Sequence, residues 1–211
     1  MSEPCFCRIE FLLDDHIHHG SKMVNTKHNK HVNQVRIIGG QCRGRKLTFV
    51  SAEGLRPTPD SVREKLFNWL GQDLTGLTVL DLFSGSGALG FEAASRNAAK
   101  VVMVDNNRQT VLNLQQINRQ LKLGAEIVFS DGLSYLKDCG EQFDVVFLDP
   151  PFVWQDWEKL LIVLKEHLKN DAMVYIEAWR LPPIPVWIQE WRSGKAGMSR
   201  FKLLKYMQVT E

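Results

Sequence analysis

The sequence of 211 residues has little cysteine, no long apolar run and almost no net charge. Its four cysteines, Cys5, Cys7, Cys42 and Cys139, are too few and too scattered for a secreted disulfide framework. Cys5 and Cys7 stand too close in sequence to pair easily, so a reducing compartment fits best. No window approaches the apolar length of a membrane span, and no membrane partner is expected. Phe11-Leu12-Leu13 is flanked by Glu10, Asp14 and Asp15, unlike the long apolar stretch of a secretion signal. A cytoplasmic protein is expected. The composition, 44% hydrophobic and 24% charged, excludes a disordered tail or a fibrous chain and is enough for one sizeable core.

The formal net charge of +2 conceals a local absence. From His16 to Ala52 there is no acid, while Lys22, Lys27, Lys30, Arg36, Arg43, Arg45 and Lys46 bring +7, which leaves −5 on the remainder. The chain thus has a basic front and an acidic body. Cys5-x-Cys7 with His16, His18 and His19 matches no usual zinc spacing, and no metal is expected.

Residues 1–33 show neither helical nor strand periodicity and are expected to form a mobile extension, in which Met23 is a candidate alternative start. Residues 34–55 read as a basic β-hairpin arm: Val35-Arg-Ile-Ile and Arg43-Gly-Arg-Lys-Leu-Thr-Phe-Val are β-prone runs around a connection containing Gly39-Gly40. Residues 56–211 read as the main domain. Arg56-Pro57-Thr58-Pro59 breaks the chain, Thr58 is a candidate helix cap, and Val62, Leu66, Trp69 and Leu70 share one helical face.

From Thr78 the pattern alternates regularly. Strands are predicted over Thr78–Phe83, Lys100–Asp105, Ala125–Asp131, Phe143–Asp149 and Ala172–Ala178, with helices such as Asn107–Leu121 and Trp157–Lys169 between them. This alternation predicts an α/β fold with a mostly parallel sheet and helices on both faces. Val186–Arg192 and Arg200–Val209 around Ser-Gly-Lys-Ala-Gly predict an antiparallel C-terminal hairpin, for seven strands in all.

Asp81-Leu-Phe-Ser-Gly85-Ser-Gly87-Ala-Leu-Gly90 closes the first of these strands and opens a helix. Glycines let the backbone turn sharply beside a ligand, and a helix N-terminus presents free N–H groups. As a bare pattern it also satisfies the dinucleotide fingerprint, with Asp105 placed as an NAD site requires, and a glycine turn that binds nothing is a third reading. The surrounding acids favour a cation. The first four predicted strands end in Asp81, Asp105, Asp131 and Asp149, and ligands of open α/β sheets bind outside the strand carboxyl ends. Such a rim repels pyrophosphate and suits the sulfonium and ammonium of S-adenosylmethionine. The candidate cofactor residues are Asp81, Phe83, Ser84, Gly85 and Gly87 at the methionine end, Asp105 and Asn106 at the ribose, and Asp131 and Gly132 at the adenine. Asp131 has a plainer reading as a helix cap.

Asp149-Pro150-Pro151-Phe152 follows the apolar run Val145–Leu148. A base amine is a poor nucleophile because its lone pair is delocalised into the ring. Asp149, as an orienting acceptor, and the Pro150 carbonyl can accept its two N–H bonds, freeing the lone pair for attack, with the proton lost late or to solvent, and Phe152 can stack on the base. Trp154 and Trp157 are candidates for the same pocket or for ordinary helix packing.

These motifs resemble those of class I, S-adenosylmethionine-dependent amino methyltransferases of Rossmann-like fold. Val35–Leu47, Gly54–Trp69 and Glu92-Ala-Ala-Ser-Arg96 are similar to segments of the RsmD family, over about Gln34 to Gln208. The resemblance implies methylation of the N2 amine of a guanine in 16S ribosomal RNA, with an assembled or partly assembled small subunit as substrate; a monomer is expected. It departs at Asp105, where the family usually has Glu, and Glu177 matches a family acid near the fifth strand's end. The basic hairpin is then the expected RNA contact, through Arg36, Arg43, Arg45 and Lys46, with Arg56 and Arg63 at its junction with the body as candidates for RNA or the cofactor pocket. Other amino methyltransferase substrates (DNA adenine, transfer RNA or a protein glutamine) are the alternative, and a non-catalytic ribosome-assembly factor is a reading from another class.

Overall fold

Residues that cannot be left in water define the strands. In the computed structural model, which describes residues 32–50 and 57–207, Val79, Leu80, Val101 to Val104, Val145 to Leu148 and Val174 to Ile176 are all buried. Near-continuous apolar runs of this kind belong to a parallel sheet covered on both faces.

The elements in order are β1 (Val32–Arg36), β2 (Lys46–Val50), α1 (Asp60–Leu70), β3 (Thr78–Asp81), α2 (Ala88–Ser95), β4 (Lys100–Asp105) and α3 (Arg108–Leu121). There follow β5 (Glu126–Phe129), α4 (Gly132–Asp138), β6 (Phe143–Leu148), α5 (Trp157–Leu164), a 3₁₀ turn (Lys165–His167), β7 (Leu168–Ala178), β8 (Ile188–Ala196) and β9 (Ser199–Tyr206). β1 and β2 form a separate antiparallel pair. The other seven strands form one sheet in the order β5-β4-β3-β6-β7-β9-β8, with β5 to β7 parallel and the last two antiparallel. The chain reverses its direction of winding between β3 and β6. At that switch point the loops leave toward opposite faces and a crevice opens at the strand carboxyl ends.

The hairpin, α1, α2 and α3 cover one face around Phe67, Phe91, Phe147, Tyr175 and Phe201. α4 and α5 cover the other around Leu80, Leu136, Phe143, Leu160 and Leu164. Among the described residues no helix is long and apolar enough to cross a membrane. Local chemistry sets the element ends. Asn107 caps α3 by accepting from the Gln109 and Thr110 N–H groups at 2.9 and 3.1 Å. Asn118 bonds both the N–H and the carbonyl of Ala125, which fixes the turn into β5.

Several elements differ from their sequence patterns: β1 starts at Val32, inside the segment expected to lack structure, and the strands expected to reach Phe83 and Asp131 end at Asp81 and Phe129. The helix predicted over Trp157–Lys169 stops at Leu164, and Leu168 already pairs with Phe143. The register then shifts before Val145 pairs with Met173, and Asp171 takes a φ of 63° within the irregular stretch. In the C-terminal hairpin, Ser193 to Ala196 are strand, and the turn falls at Gly197 and Met198. Gly194 serves packing, not turning, since a Cβ there would come within 2.5 Å of the Phe201 ring.

A buried charge cluster joins the hairpin to α1 and α2. Glu92 is fully buried, and its carboxylate accepts from Arg96 Nε at 2.8 Å, Arg63 Nη1 at 3.3 Å and the Ile38 N–H at 2.8 Å. Arg63 also reaches Asp60 and donates to the Thr58 carbonyl at 3.2 Å. The Arg96 guanidinium lies 4.7 Å from the Phe67 ring centroid. Beside it the hairpin turn is held by Ser95, whose hydroxyl donates to the Gly39 carbonyl and accepts from the Cys42 N–H. Gly40, at φ +71°, has no room for a side chain against the Ser95 carbonyl.

Removing the one anion that both buried guanidiniums share should be severe. Glu92→Ala is expected to lower unfolding stability by about 3–5 kcal/mol, read from urea denaturation. A loss below about 1 kcal/mol would show that the cluster does not hold these elements together.

Candidate active site

The crevice is a cavity of about 480 Å³, a size that suits a nucleoside-bearing ligand. Asp81, Phe83, Ser84, Gly85, Asp105, Asn106, Asp131, Gly132, Asp149, Pro150 and Phe152 all stand on its wall, as the sequence pattern requires. Gly87 does not. It begins α2 at φ 78°, packed so closely against Phe91 and Leu114 that a Cβ would lie 2.6 Å from the Phe91 ring. Its part is to shape the loop, not to face the cavity. No Lys or Arg occurs among the described residues that line the cavity.

The four aspartates arrive from four neighbouring strand ends, but they are not equivalent. Asp81 is buried at the end of β3 and accepts from the Gly90 N–H at 2.9 Å. Burial pushes its carboxyl up to about 7, against which the Gly90 bond acts, while the nearby Asp105 charge adds to the rise. Asp105 accepts from the Gly85 N–H at 2.9 Å and from the Asn107 N–H at 2.8 Å, so it ties the glycine loop to β4. Burial raises its carboxyl also. Asp131 is exposed and caps α4 by accepting from the Ser134 N–H at 3.1 Å. The cap reading is therefore realised, and the residue borders the cavity as well.

Asp149 is half-buried, one residue past β6. Leu148 pairs with Ile176, which sets Asp149 beside Glu177 at the end of β7. Burial first, then the Glu177 and Asp81 charges, raise its carboxyl well above the ordinary range. The Thr58 hydroxyl, donating to Asp149 Oδ2 at 3.2 Å, acts in the opposite direction. Glu177 is itself held by the Tyr175 hydroxyl at 2.7 Å and the Ser199 hydroxyl at 2.6 Å. Pro150 is buried, and Phe152 projects at the rim with 57% of its surface exposed.

Thr58 is the residue that the sequence pattern misassigns. It looks like a cap for α1, yet the residue at that position is Pro59, with no side-chain cap, and the Thr58 hydroxyl turns to Asp149 instead. Arg63 is likewise not a surface cation: it is fully buried and committed to Glu92 and Asp60. Trp154 lines the cavity and packs edge-on against Phe83 at 5.3 Å, whereas Trp157 lies in the core behind it.

The basic residues of the hairpin divide. Arg36 pairs with Asp60 at 2.9 Å. Arg43, Arg45 and Lys46 are exposed and have no acidic partner among the described residues. Their turn is anchored on Ser95 and on the Leu121 carbonyl, at the C-terminal ends of α2 and α3, away from the cavity. Arg56, the N-terminal extension up to residue 31 and its Cys and His residues lie outside the described residues. Cys42 and Cys139 are free thiols.

Against known proteins, a family model described as "Conserved hypothetical protein 95" matches residues 35–205. The chain is 40% identical over 176 residues to ribosomal RNA small subunit methyltransferase D of Escherichia coli, covering 81% of this chain and 89% of that protein. It is 43% identical over 158 residues to the protein of the same name from Haemophilus influenzae, covering 72% and 82%. Among solved structures, a putative methyltransferase from E. coli superposes with a TM-score of 0.76 at 39% identity, covering 84% of this chain and all of that one. With a family model spanning β1–β9 and relatives at this identity over most of its length, the chain belongs to the RsmD family of ribosomal RNA small subunit methyltransferases.

Proposed function

We propose that the chain transfers a methyl group from S-adenosylmethionine to the exocyclic N2 amine of a guanine in 16S ribosomal RNA. The observation that carries this reading is Asp149: a carboxyl at the switch point, bonded by Thr58, facing a cavity rimmed by three further aspartates. Membership of the family supports ribosomal RNA, and the resemblance at Asp149-Pro150-Pro151-Phe152 points to an amine.

The cavity suits this cofactor on its own chemistry. Its wall carries four carboxylates and no described cation, so a positively charged ligand is favoured and a pyrophosphate is not. In this reading Asp81, with Phe83, Ser84 and Gly85, holds the methionine end. Asp105 and Asn106 hold the ribose, and Asp131 and Gly132 the adenine. When bound, the cofactor supplies an electrophilic methyl on a positively charged sulfur, and loss of that methyl leaves the neutral thioether.

The residues of the chain do the rest. Asp149 and the Pro150 carbonyl accept the two amine hydrogens, so the nitrogen lone pair is directed away from the ring. Phe152 stacks on the base and fixes its distance. As the N–C bond forms, one amine proton becomes acidic. Asp149, whose carboxyl is raised by burial and by Glu177, is a better proton acceptor than an exposed aspartate and takes it. Thr58 positions Asp149 and keeps its carboxylate form accessible. The partner is 16S ribosomal RNA in an assembled or partly assembled small subunit, met in the cytoplasm by a monomer. Residues 34–55 serve as the RNA arm and residues 56–211 as the methyltransferase domain.

The direct test incubates the protein with labelled S-adenosylmethionine and small-subunit particles from cells lacking the gene, then identifies the labelled nucleoside. N2-methylguanosine is expected, and any other product overturns the assignment. Asp149→Asn should lower turnover by on the order of 100-fold with cofactor affinity retained. Thr58→Val should lower it about tenfold and move the acid limb of the kcat profile to higher pH, because the lost bond favours the ionised carboxyl.

Cofactor affinity should depend on pH with a definite sign. With Asp81 at about 7 in the free protein, ionisation must accompany the binding of a cation. Calorimetry should show affinity rising by up to about tenfold per pH unit below pH 7 and levelling above it, and Asp81→Asn should flatten the curve. Replacing Arg43, Arg45 and Lys46 together with Ala should abolish methylation of particles and spare cofactor affinity, as measured by activity and titration.

A further inference from the structure

The second basic segment of the chain lies at its other end. Residues 178–210 contain Arg180, Arg192, Lys195, Arg200, Lys202 and Lys205, with Glu190 as the one acid. Lys202 pairs with Glu190 at 2.6 Å and Lys205 with Asp171 at 2.9 Å. Arg180, Arg192, Lys195 and Arg200 have no acidic partner among the described residues, and all four are exposed.

Strand register carries two of these, Lys195 and Arg200, to the edge where the cavity opens, and Arg180 follows two residues past the end of β7. β7 ends at Ala178, which pairs with Arg200 of β9, and Arg200 pairs with Lys195 of β8. The three residues form one row across the sheet at its carboxyl edge, and cross-strand partners share a face. Trp179 and Arg180 continue from the end of that row. Trp179 leaves 57% of its surface exposed, with the Arg180 guanidinium 5.7 Å from its ring centroid. Because Leu148 is in register with Ile176, the Asp149 to Phe152 turn leaves the same edge on the adjacent strand. The hairpin turn carrying Arg43 and Arg45 sits at the other end of the helical layer.

An exposed indole beside unpaired guanidinium and ammonium groups is the chemistry that holds single-stranded nucleic acid: the ring stacks on a base and the cations neutralise phosphates. We propose that Trp179, Arg180, Lys195 and Arg200 form a platform for the single-stranded RNA that flanks the target guanine. Trp179 stacks on a neighbouring base, and the three cations take the phosphates on either side. This inference rests on the RNA reading given above and adds a contact surface to it.

The test measures binding of a labelled single-stranded, guanine-containing RNA oligonucleotide across a salt series, and KM for small-subunit particles from cells lacking the gene. The proteins are wild type, Trp179→Ala, Trp179→Phe and the triple variant Arg180→Ala/Lys195→Ala/Arg200→Ala. Cofactor titration confirms that each variant is folded. Trp179→Ala should weaken oligonucleotide binding and raise KM about tenfold with kcat little changed, and Trp179→Phe should restore most of the loss. The triple variant should reduce the salt slope by about 2, the value for three phosphate contacts on a single strand. Variants within twofold of an active wild type overturn the platform alone. A loss on particles with unchanged oligonucleotide binding also overturns it, in favour of a protein contact. Wild-type protein that neither binds the oligonucleotide nor methylates particles overturns the RNA reading and the platform with it.

Discussion

The Glu92 carboxylate is the point from which the helical layer and the active-site loop are held. It lies where α1, α2 and the hairpin meet, and it is the anion shared by two buried guanidiniums. A buried ion pair gains little over apolar packing, but an unpaired buried charge is very costly. The cluster therefore works by exclusion: any arrangement that separates Arg63 or Arg96 from Glu92 is disfavoured. One consequence runs to the chemistry. Arg63 holds the Thr58 carbonyl, and the Thr58 hydroxyl holds Asp149, so the position of the proposed proton acceptor is set from within the core.

A second constraint comes from charge of one sign. Asp81, Asp105 and Asp149 are gathered where the sheet opens, and burial raises all three carboxyls. A carboxyl raised in the folded state ionises first in the unfolded chain. Between its ordinary value of 3.8 and about 7, Asp81 thus lowers folding stability as pH rises. The folded protein tolerates this because the same charges provide the attraction for a cation. Glu177 sharpens the effect at Asp149, yet its own oxygens are occupied by Tyr175 and Ser199, which leaves Asp149 as the member of the pair that faces the cavity. A bound cation would stabilise the ionised form of each group, so ligand binding and deprotonation are linked.

The sheet and the acidic rim were legible in the sequence because each rests on a local rule. Val101–Val104 and Val145–Leu148 are apolar without alternation, as doubly covered strands must be, and an aspartate at each strand end needs only the known side of ligand binding to be placed. What was not legible depended on tertiary neighbours. Thr58 before Pro59 carries a sound capping signal, and only the approach of Asp149, 91 residues later, draws its hydroxyl elsewhere. Arg63 lies among helix residues whose charge suggests solvent, and its burial follows from Glu92 on α2. Gly194 reads as a turn until the Phe201 ring is seen to occupy the space of its missing side chain. Gly87 satisfies a ligand-binding fingerprint while its surroundings are Phe91 and Leu114.

The placement of positive charge bears on the size of the substrate. The turn with Arg43 and Arg45 rests on the C-terminal end of α3, while Asn107 and Thr110 at the start of that helix line the cavity. With 14 residues, α3 spans about 21 Å, so the turn and the cavity are separated by about that distance. A nucleoside in the cavity cannot touch the turn. Unpaired cations at both places can be used together only by a substrate with phosphates that far apart, a span that a structured RNA or an extended single strand of several nucleotides meets. In the proposed reaction the acidic cavity acts in the same direction, because it repels phosphate within it and leaves the attraction for phosphates to the cationic surfaces around it.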